Sequence, residues 1–405
     1  EALSVLTGWP CSLIRFDRPD FDPDVLWATL CSARDTQYLM TCSTADVAKG
    51  DRESLVPFHV YSLLSVFDAE DDRGGAVRLV KIRNPHSALT WQGPWSDASA
   101  EWTPKLRHEV GCPIGGVPGV FFMALPEFLQ RFAHCTICEI RSHEWHETRE
   151  ELLMPGGSAP SVGVVLEAAE MTECCLSLAQ PEERIRMAKM QPRDSALTCI
   201  GLVLSGADGG AASAPASAFR CRATVSAECW LQPGRPCLLV PMSLNGGSPF
   251  ASACACFSSK RVTMRKQSLS HEVVQKAWAA WVRQNDTQGG ERFHDGILFV
   301  GKAAGGAMAA LAENRGQGHF GVELIIESDD LQFSRGARRT KDWIPPGHAL
   351  LLQVGLPGAP TGGTLSWRSS HMFFYTQRGS PQGAPQDPPA AEMWGGLHTP
   401  FRLST

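Results

Sequence analysis

From Val162 to Leu356 the chain repeats one pattern, a short apolar run followed by a cluster of turn residues. The runs VGVVLEA, CCLSLAQ, ALTCIGLVLS, FRCRATVSAECWL, CLLVPMSL and ASACACFSS come first, and DGILFVGKA, FGVELIIES and HALLLQVGL follow later. Short runs with closely spaced turns are expected to form antiparallel, sandwich-like sheets. Between the two groups, SHEVVQKAWAAWVRQN reads as a helix capped by Ser270, with Val273, Val274, Ala277 and Trp281 along one side. An internal echo spans the two groups. ECWLQPGRPCLLVP and KDWIPPGHALLLQV both carry W-x-x-P-G before an apolar strand, as two copies of one module would.

The region before Val162 mixes element types. DFDPDVLWATLCSARD reads as a helix with Asp22 at the cap and Pro23 just inside, its inner face carrying Val25, Leu26 and Leu30. GVFFMALPEFLQRF reads as a strand leading into a helix that Pro126 starts, with Phe128, Leu129 and Phe132 as the buried stripe. Between these, HVYSLLSV and VKIRNP flank DAEDDRGG, which reads as a turn. If the runs pair about Asp71 and Asp72, His59 directly faces Asn84 across the ladder.

The fold class expected is α+β. Residues 1–150 form a mixed domain, 158–266 a β-sandwich-like module, 267–376 a second β-rich module with helices, and 377–405 a low-complexity tail. MPGGSAPS reads as a linker and GADGGAASAPASA as a loop insertion. A net charge of −5 gives no basic footprint for nucleic acid, and the broken apolar runs give no membrane span. The 14 cysteines are scattered over a long chain, which fits free thiols in a reducing, cytoplasmic compartment better than a disulfide scaffold. Cys135 and Cys138 form a lone CxxC with no second pair at zinc-finger spacing. The Cys174–Cys175 and Cys254–Cys256 pairs lie in strand-like runs and read as packing residues. The chain starts at Glu1 without a signal peptide, as a fragment or processed product would.

A histidine held by an asparagine suits work beside a nucleophilic cysteine. The imidazole takes the thiol proton and later returns it to the leaving amine, while the carboxamide fixes the ring. Asparagine suffices there because the thiolate supplies the counter-charge to the imidazolium.

The surrounding residues resemble the second half of the papain-like core of calpains. That family reads H-A-Y-S-V at its histidine, R-N-P-W-G at its asparagine and then W-x-G-x-W-S-D, matched here by Trp91, Gly93, Trp95, Ser96 and Asp97. LTGWPC and GVFFMALPEFLQRF resemble the family's segments on either side, so the likeness runs from Glu1 to Trp145. Residues 158–374 resemble, more diffusely, the C-terminal region of the small-optic-lobes subfamily. The resemblance implies a papain-like second subdomain with an antiparallel sheet, in which His59 is the general base and Asn84 its orienting partner. It further implies protein substrates and a separate N-terminal subdomain carrying the cysteine as the chain's partner. The family's nucleophile stands in a Q-G-x-x-G-D-C-W stretch that these residues lack; Cys11, Cys31, Cys42 and Cys112 have other contexts. The chain alone is therefore expected to be inactive.

Two further departures bear on function. His86 and Ser87 stand where the family has tryptophan and glycine, which places a second titratable ring beside the base. Calcium is the cofactor the resemblance implies, and Glu101 matches one ligand position, but Pro118 and Val120 replace the acidic residues of another. The expected function is thus the base-bearing part of a calpain-type cysteine endopeptidase, with a catalytically inactive interaction scaffold as the alternative.

Overall fold

The computed structural model describes all residues except 1, 47–53, 71–73, 87–88, 142, 156–158, 182–196, 207–218, 244–248, 304–305, 359–367, 377–393, 395 and 404–405. The hairpin tip at Asp71 and Asp72, Ser87, residues 156–158 of the linker, most of the small-residue insertion, and the Pro-rich tail lie outside the described residues. The chain divides into two units, Glu1–Ser142 and His143–Thr405. Among the described residues no helix is long and apolar enough to cross a membrane.

Unit 1 comprises α1 (Ala2–Thr7), β1 (Cys11–Arg15), α2 (Pro23–Asp35), β2 (Leu39–Thr44), β3 (Val60–Glu70), β4 (Ala76–Arg83), α3 (Pro104–Glu109), β5 (Val120–Ala124), α4 (Leu125–Arg131) and β6 (Phe132–Cys138). Its strands make one antiparallel sheet in the order β1-β6-β2-β3-β4-β5. Alternation along the strands gives the sheet two apolar faces. Tyr61, Leu63, Val80, Ile82, Phe121 and Met123 turn to the side that α2 and α4 cover. Leu79, Phe122 and Ala124 turn to the other, beneath Trp95, Leu106 and Val110.

Helix α2 starts as its sequence directs. The Asp22 carboxylate accepts from the backbone N–H groups of Asp24 (2.8 Å) and Val25 (3.3 Å), and Pro23 occupies the first turn. Its buried face is Leu26, Trp27, Leu30 and Ala33, while Val25 is exposed. The indole explains the difference, because Trp27 reaches across to donate to Asp68 Oδ1 at 2.9 Å and rotates the helix toward that contact. Helix α4 keeps Phe128 buried, but Phe132 begins β6 and serves the core from a strand.

Unit 2 opens with β7 (His146–Met154), β8 (Val162–Ala168), β9 (Thr172–Ala179), β10 (Ile200–Gly206), β11 (Thr224–Leu231), β12 (Cys237–Ser243), β13 (Phe250–Ser258) and β14 (Val262–Ser268). After α5 (His271–Asn285) come β15 (Glu291–Phe293), β16 (Gly296–Lys302), β17 (Met308–Asn314), β18 (His319–Glu327), β19 (Leu331–Phe333), β20 (Arg339–Ile344), β21 (His348–Pro357), β22 (Arg368–Thr376) and β23 (Phe401–Arg402). All its sheets are antiparallel. The first group forms β10-β12-β8-β14 and β11-β9-β13-β7, whose facing side chains share one buried cluster. The second forms β15-β16-β17-β21-β19, with β23 on β21, and β20-β18-β22, again over one cluster.

The W-x-x-P-G echo has a structural counterpart. In both copies a strand (β11, β20) runs through a Pro-Gly turn into a strand of the other sheet (β12, β21). Gly234 and Gly347 hold φ values of 69° and 70°, a conformation that glycine adopts without a Cβ clash. The likeness extends along the chain. Strands β8 to β13 and β17 to β22 pair in the same pattern, with β12 between β10 and β8 as β21 is between β19 and β17. In the companion sheets β9 lies between β11 and β13 as β18 lies between β20 and β22.

Helix α5 joins the two groups. Ser270 Oγ accepts from Val273 N–H, and Val274, Ala277, Trp278, Trp281 and Val282 enter a cluster with strands from both. Trp394, Leu397 and Phe401 are buried in the same cluster, so the segment predicted as tail, 377–405, ends in core-forming residues. An apolar anchor on each of these three residues outweighs the Pro- and Gly-rich composition around them.

Candidate active site around His59

The backbone of His59 is fixed before its side chain is considered. Its N–H donates to Thr44 Oγ1 (3.0 Å), and Thr44 N–H donates to the His59 carbonyl (3.0 Å). Thr44 is buried at the end of β2, so the histidine enters β3 from a clamped position. The preceding residue, Phe58, has φ 50° and is 77% exposed. A bulky residue in the left-handed region costs about 1–2 kcal/mol, and such strain concentrates at functional sites.

The His59 ring lies edge-on to Tyr61 (centroids 5.0 Å, 80°) and tilted against His86 (5.0 Å, 32°). Its Nε2 atom is buried and has no hydrogen-bond partner. Tyr61 is fully buried, its hydroxyl accepting from Val56 N–H at 2.8 Å, and burial pushes its phenol up. A neutral, rigid tyrosine therefore forms one wall of the imidazole's pocket.

Asn84 is fully buried at the end of β4. Its Nδ2 donates to the Leu89 carbonyl (2.9 Å), its Oδ1 accepts from His86 N–H (3.0 Å), and its own N–H donates to the Gly119 carbonyl (2.8 Å). The carboxamide thus closes the 84–89 turn and makes no bond to His59.

The direct His59–Asn84 pairing expected from the sequence is corrected by the observed register. β3 and β4 pair Glu70 with Ala76, shift by one residue between Leu63 and Ser65, and pair Ser62 with Arg83. Carried three residues further, this ladder sets His59 opposite His86 and Asn84 opposite Tyr61. The turn falls later than Asp71–Asp72, and the bulge gives one residue back. The net displacement of two keeps His59 and Asn84 on the same face of the sheet as diagonal neighbours.

The W-x-G-x-W-S-D run packs on both faces of the sheet, Trp91 with Tyr61 and Trp95 with Leu79 and Phe122. Trp91 is buried, donates to the Pro94 carbonyl at 2.7 Å and lies under the Arg131 guanidinium at 4.5 Å. A Cβ on Gly93 would overlap the Trp91 indole, which accounts for glycine there. Trp95, buried with φ 65°, donates its N–H to Ser99 Oγ (3.0 Å) and packs edge-on to Trp102. Asp97 pairs with Arg107, which lies over Trp102. Glu101 is exposed, and among the described residues no group of three or more His, Cys, Asp or Glu side chains is arranged to hold a metal ion. Among the described residues, none forms a calcium cage of acidic side chains.

Thr44, Phe58 and Tyr61 complete the surroundings of His59. Only Tyr61 carried a sequence signal, through its place in H-x-Y-S; the roles of Thr44 and Phe58 depend on long-range pairing and on φ.

A clamped histidine with a buried, unpartnered ring nitrogen thus shares one face of an antiparallel sheet with a buried asparagine. The calpain family cysteine protease pattern matches residues 1–139, and this segment is a calpain family domain. The chain is 29% identical over 147 residues to the calpain-type cysteine protease ADL1 of Oryza sativa subsp. japonica, covering 35% of this chain and 7% of that protein. It is 31% identical over 126 residues to calpain-8 of Mus musculus (29% and 18% covered), and 33% over 110 residues to the calpain-1 catalytic subunit of Gallus gallus (25% and 15%). The matches thus span less than a fifth of each of these relatives.

Proposed function

We propose that the chain supplies the base-bearing half of a papain-like cleft in a calpain-type cysteine endopeptidase, followed by two β-sandwich-like modules, 158–266 and 267–376. His59 is the general base and Asn84 its positioning residue. The nucleophile comes from a segment carrying a G-D-C-W cysteine, and protein chains are the substrates. The observation that carries this reading is the His59 imidazole, clamped by Thr44 with Nε2 buried and unpartnered beside Asn84.

In the reaction one ring nitrogen accepts the thiol proton, and the resulting imidazolium later protonates the leaving amine. The other nitrogen needs an acceptor to hold its N–H, and Nε2 is the one on the protein side. Asn84 Oδ1 uses one lone pair on His86 N–H and keeps a second for that N–H. A carboxamide adds no charge, so the thiolate–imidazolium pair is not neutralised from behind. The free thiols suit a cytoplasmic setting.

The test is to combine the chain with a cysteine-bearing calpain-type segment and follow cleavage of a casein-like protein. His59→Ala is expected to lower kcat/KM by about 10³-fold. Retained activity in that variant removes His59 from the role of base. A second reading, an inactive interaction scaffold, is favoured by the His86 ring lying 5.0 Å from His59 where the family has an indole. His86→Trp separates the two: a gain in activity supports the protease, and no cleavage in any combination supports the scaffold.

A further inference from the structure

Unit 1 carries a second chemistry, at the edge of its sheet and apart from His59. Cys11 on edge strand β1 lies directly opposite Cys138 on β6. Backbone bonds from Glu139 N–H to the Pro10 carbonyl (3.2 Å) and from Phe16 N–H to the Ala133 carbonyl (3.0 Å) mark the even-numbered β1 positions as the hydrogen-bonded pairs. Cys11 and Cys138 are therefore a non-hydrogen-bonded pair, whose Cα atoms sit about 4.5 Å apart, within the span a disulfide bridges.

Thr7 Oγ1 lies 3.4 Å from the Cys138 sulfur, and the Cys11 sulfur reaches the Trp9 carbonyl at 3.7 Å. Of the 14 cysteines, only Cys11 and Cys31 are not buried, and the Cys31 thiol turns toward Asp68. A second opposed pair, Cys42 and Cys135 across β2 and β6, is fully buried, and burial pushes both thiols up, Cys135 to about 12. Cys11–Cys138 thus combines opposition across the ladder with one member that is not buried.

We propose that Cys11 and Cys138 form a reversible dithiol, in which hydrogen peroxide oxidises Cys11 and Cys138 resolves it to a cross-strand disulfide. The Cys11 sulfur, as thiolate, attacks one peroxide oxygen. The S–O bond forms, the O–O bond breaks, and the hydroxide released takes up a proton as water. The Cys138 thiolate then attacks the Cys11 sulfur. The S–S bond forms, the S–O bond breaks, and the second hydroxide leaves as water with the remaining proton. Two thiols lose two electrons, and the peroxide gains them.

The pairing favours the resolving step near neutral pH. The Cys11 S–H, Thr7 and the Ile140 N–H lower the Cys138 thiol to about 7 against the effect of burial, while Cys11 is raised by donating to it. The lowered Cys138 thiol supplies the resolving thiolate, and Cys11 is the residue of the pair that is not buried.

The test treats the full chain with hydrogen peroxide, alkylates the remaining thiols and maps peptides. The expected result is the loss of two alkylatable thiols and a cross-linked peptide containing Cys11 and Cys138. Its mass is lower by two hydrogens, and dithiothreitol restores both thiols. Persistence of both free thiols, or oxidation of Cys11 to sulfinic acid without a cross-link, overturns the proposal. In Cys138→Ser, Cys11 is expected to persist as a sulfenic acid that dimedone captures, and in Cys11→Ser, Cys138 is expected to stay unmodified. Dimedone on Cys138 in Cys11→Ser contradicts the assigned order. The wild-type map is decisive by itself if either variant fails to fold.

Discussion

The two units dispose of their apolar side chains in opposite ways. Among the described residues, unit 1 leaves ten large apolar side chains exposed, while unit 2, the longer, leaves four. In unit 1 several of them gather on α1 and around His59: Val5, Leu6, Phe58, Val60 and Leu64. Some buried polar side chains of unit 2 find backbone partners. Asn314 is fully buried yet donates to the carbonyls of Gly318 and Ile344 and accepts from Gly316 N–H. Gln275 is likewise buried and bonded to the carbonyls of Leu397 and Thr399. Exposed apolar area of this kind is a feature of surfaces that other chains cover.

Truncation should separate them most sharply. Trp278, fully buried against Phe219 and Trp281, is expected to cost unit 2 about 3–5 kcal/mol on replacement by alanine. Ile114→Ala, at a site 92% exposed in unit 1, should change stability by less than about 0.5 kcal/mol. Denaturant unfolding of both variants checks this, and a large cost at Ile114 would break the contrast.

Acid should act on unit 2 through His398. Its ring is buried, one nitrogen lies 2.6 Å from the Leu351 carbonyl, and the other has no partner. Burial, the largest cause, lowers its pKa to about 4. Between that value and the unfolded value of about 6.5 only the unfolded chain binds the proton. The stability this histidine contributes is therefore fully present above about pH 6.5 and falls as pH drops toward 4, by about 3 kcal/mol. His398→Gln should flatten that part of the pH dependence, as unfolding curves at pH 7 and 4.5 would register.

The smallest effect tests the strained corner of unit 1. Phe58→Gly relieves the positive φ but adds unfolded-state entropy, so a gain of about 0.5 kcal/mol is expected. A loss of stability would mean that the phenyl ring, despite its exposure, packs usefully.

These contrasts also mark what was legible in the sequence. The helix starts at Asp22 and Ser270 were readable because capping is local. Most strands of unit 2 announced themselves by apolar runs between turns. β17, MAALAEN, did not, because alanine-rich sequence carries little strand propensity and its place is decided by pairing with β16 and β21. β7 and β14, rich in Glu, Thr, Arg and Lys, were hidden because their outward faces are polar. His59 and Asn84 could be nominated from chemistry and motif. Their relative placement could not, since a bulge at Leu64 and the true turn position move the register by two and leave no trace in composition.

In the proposed reading, the exposed apolar residues near His59 receive a cysteine-bearing segment. Hydrogen exchange of the full chain, with and without that segment, measures this directly. Slowed exchange is expected at Phe58–Leu64 and in α1 upon mixing, with unit 2 unchanged. Binding that leaves Phe58–Leu64 exchanging at its free rate would contradict it.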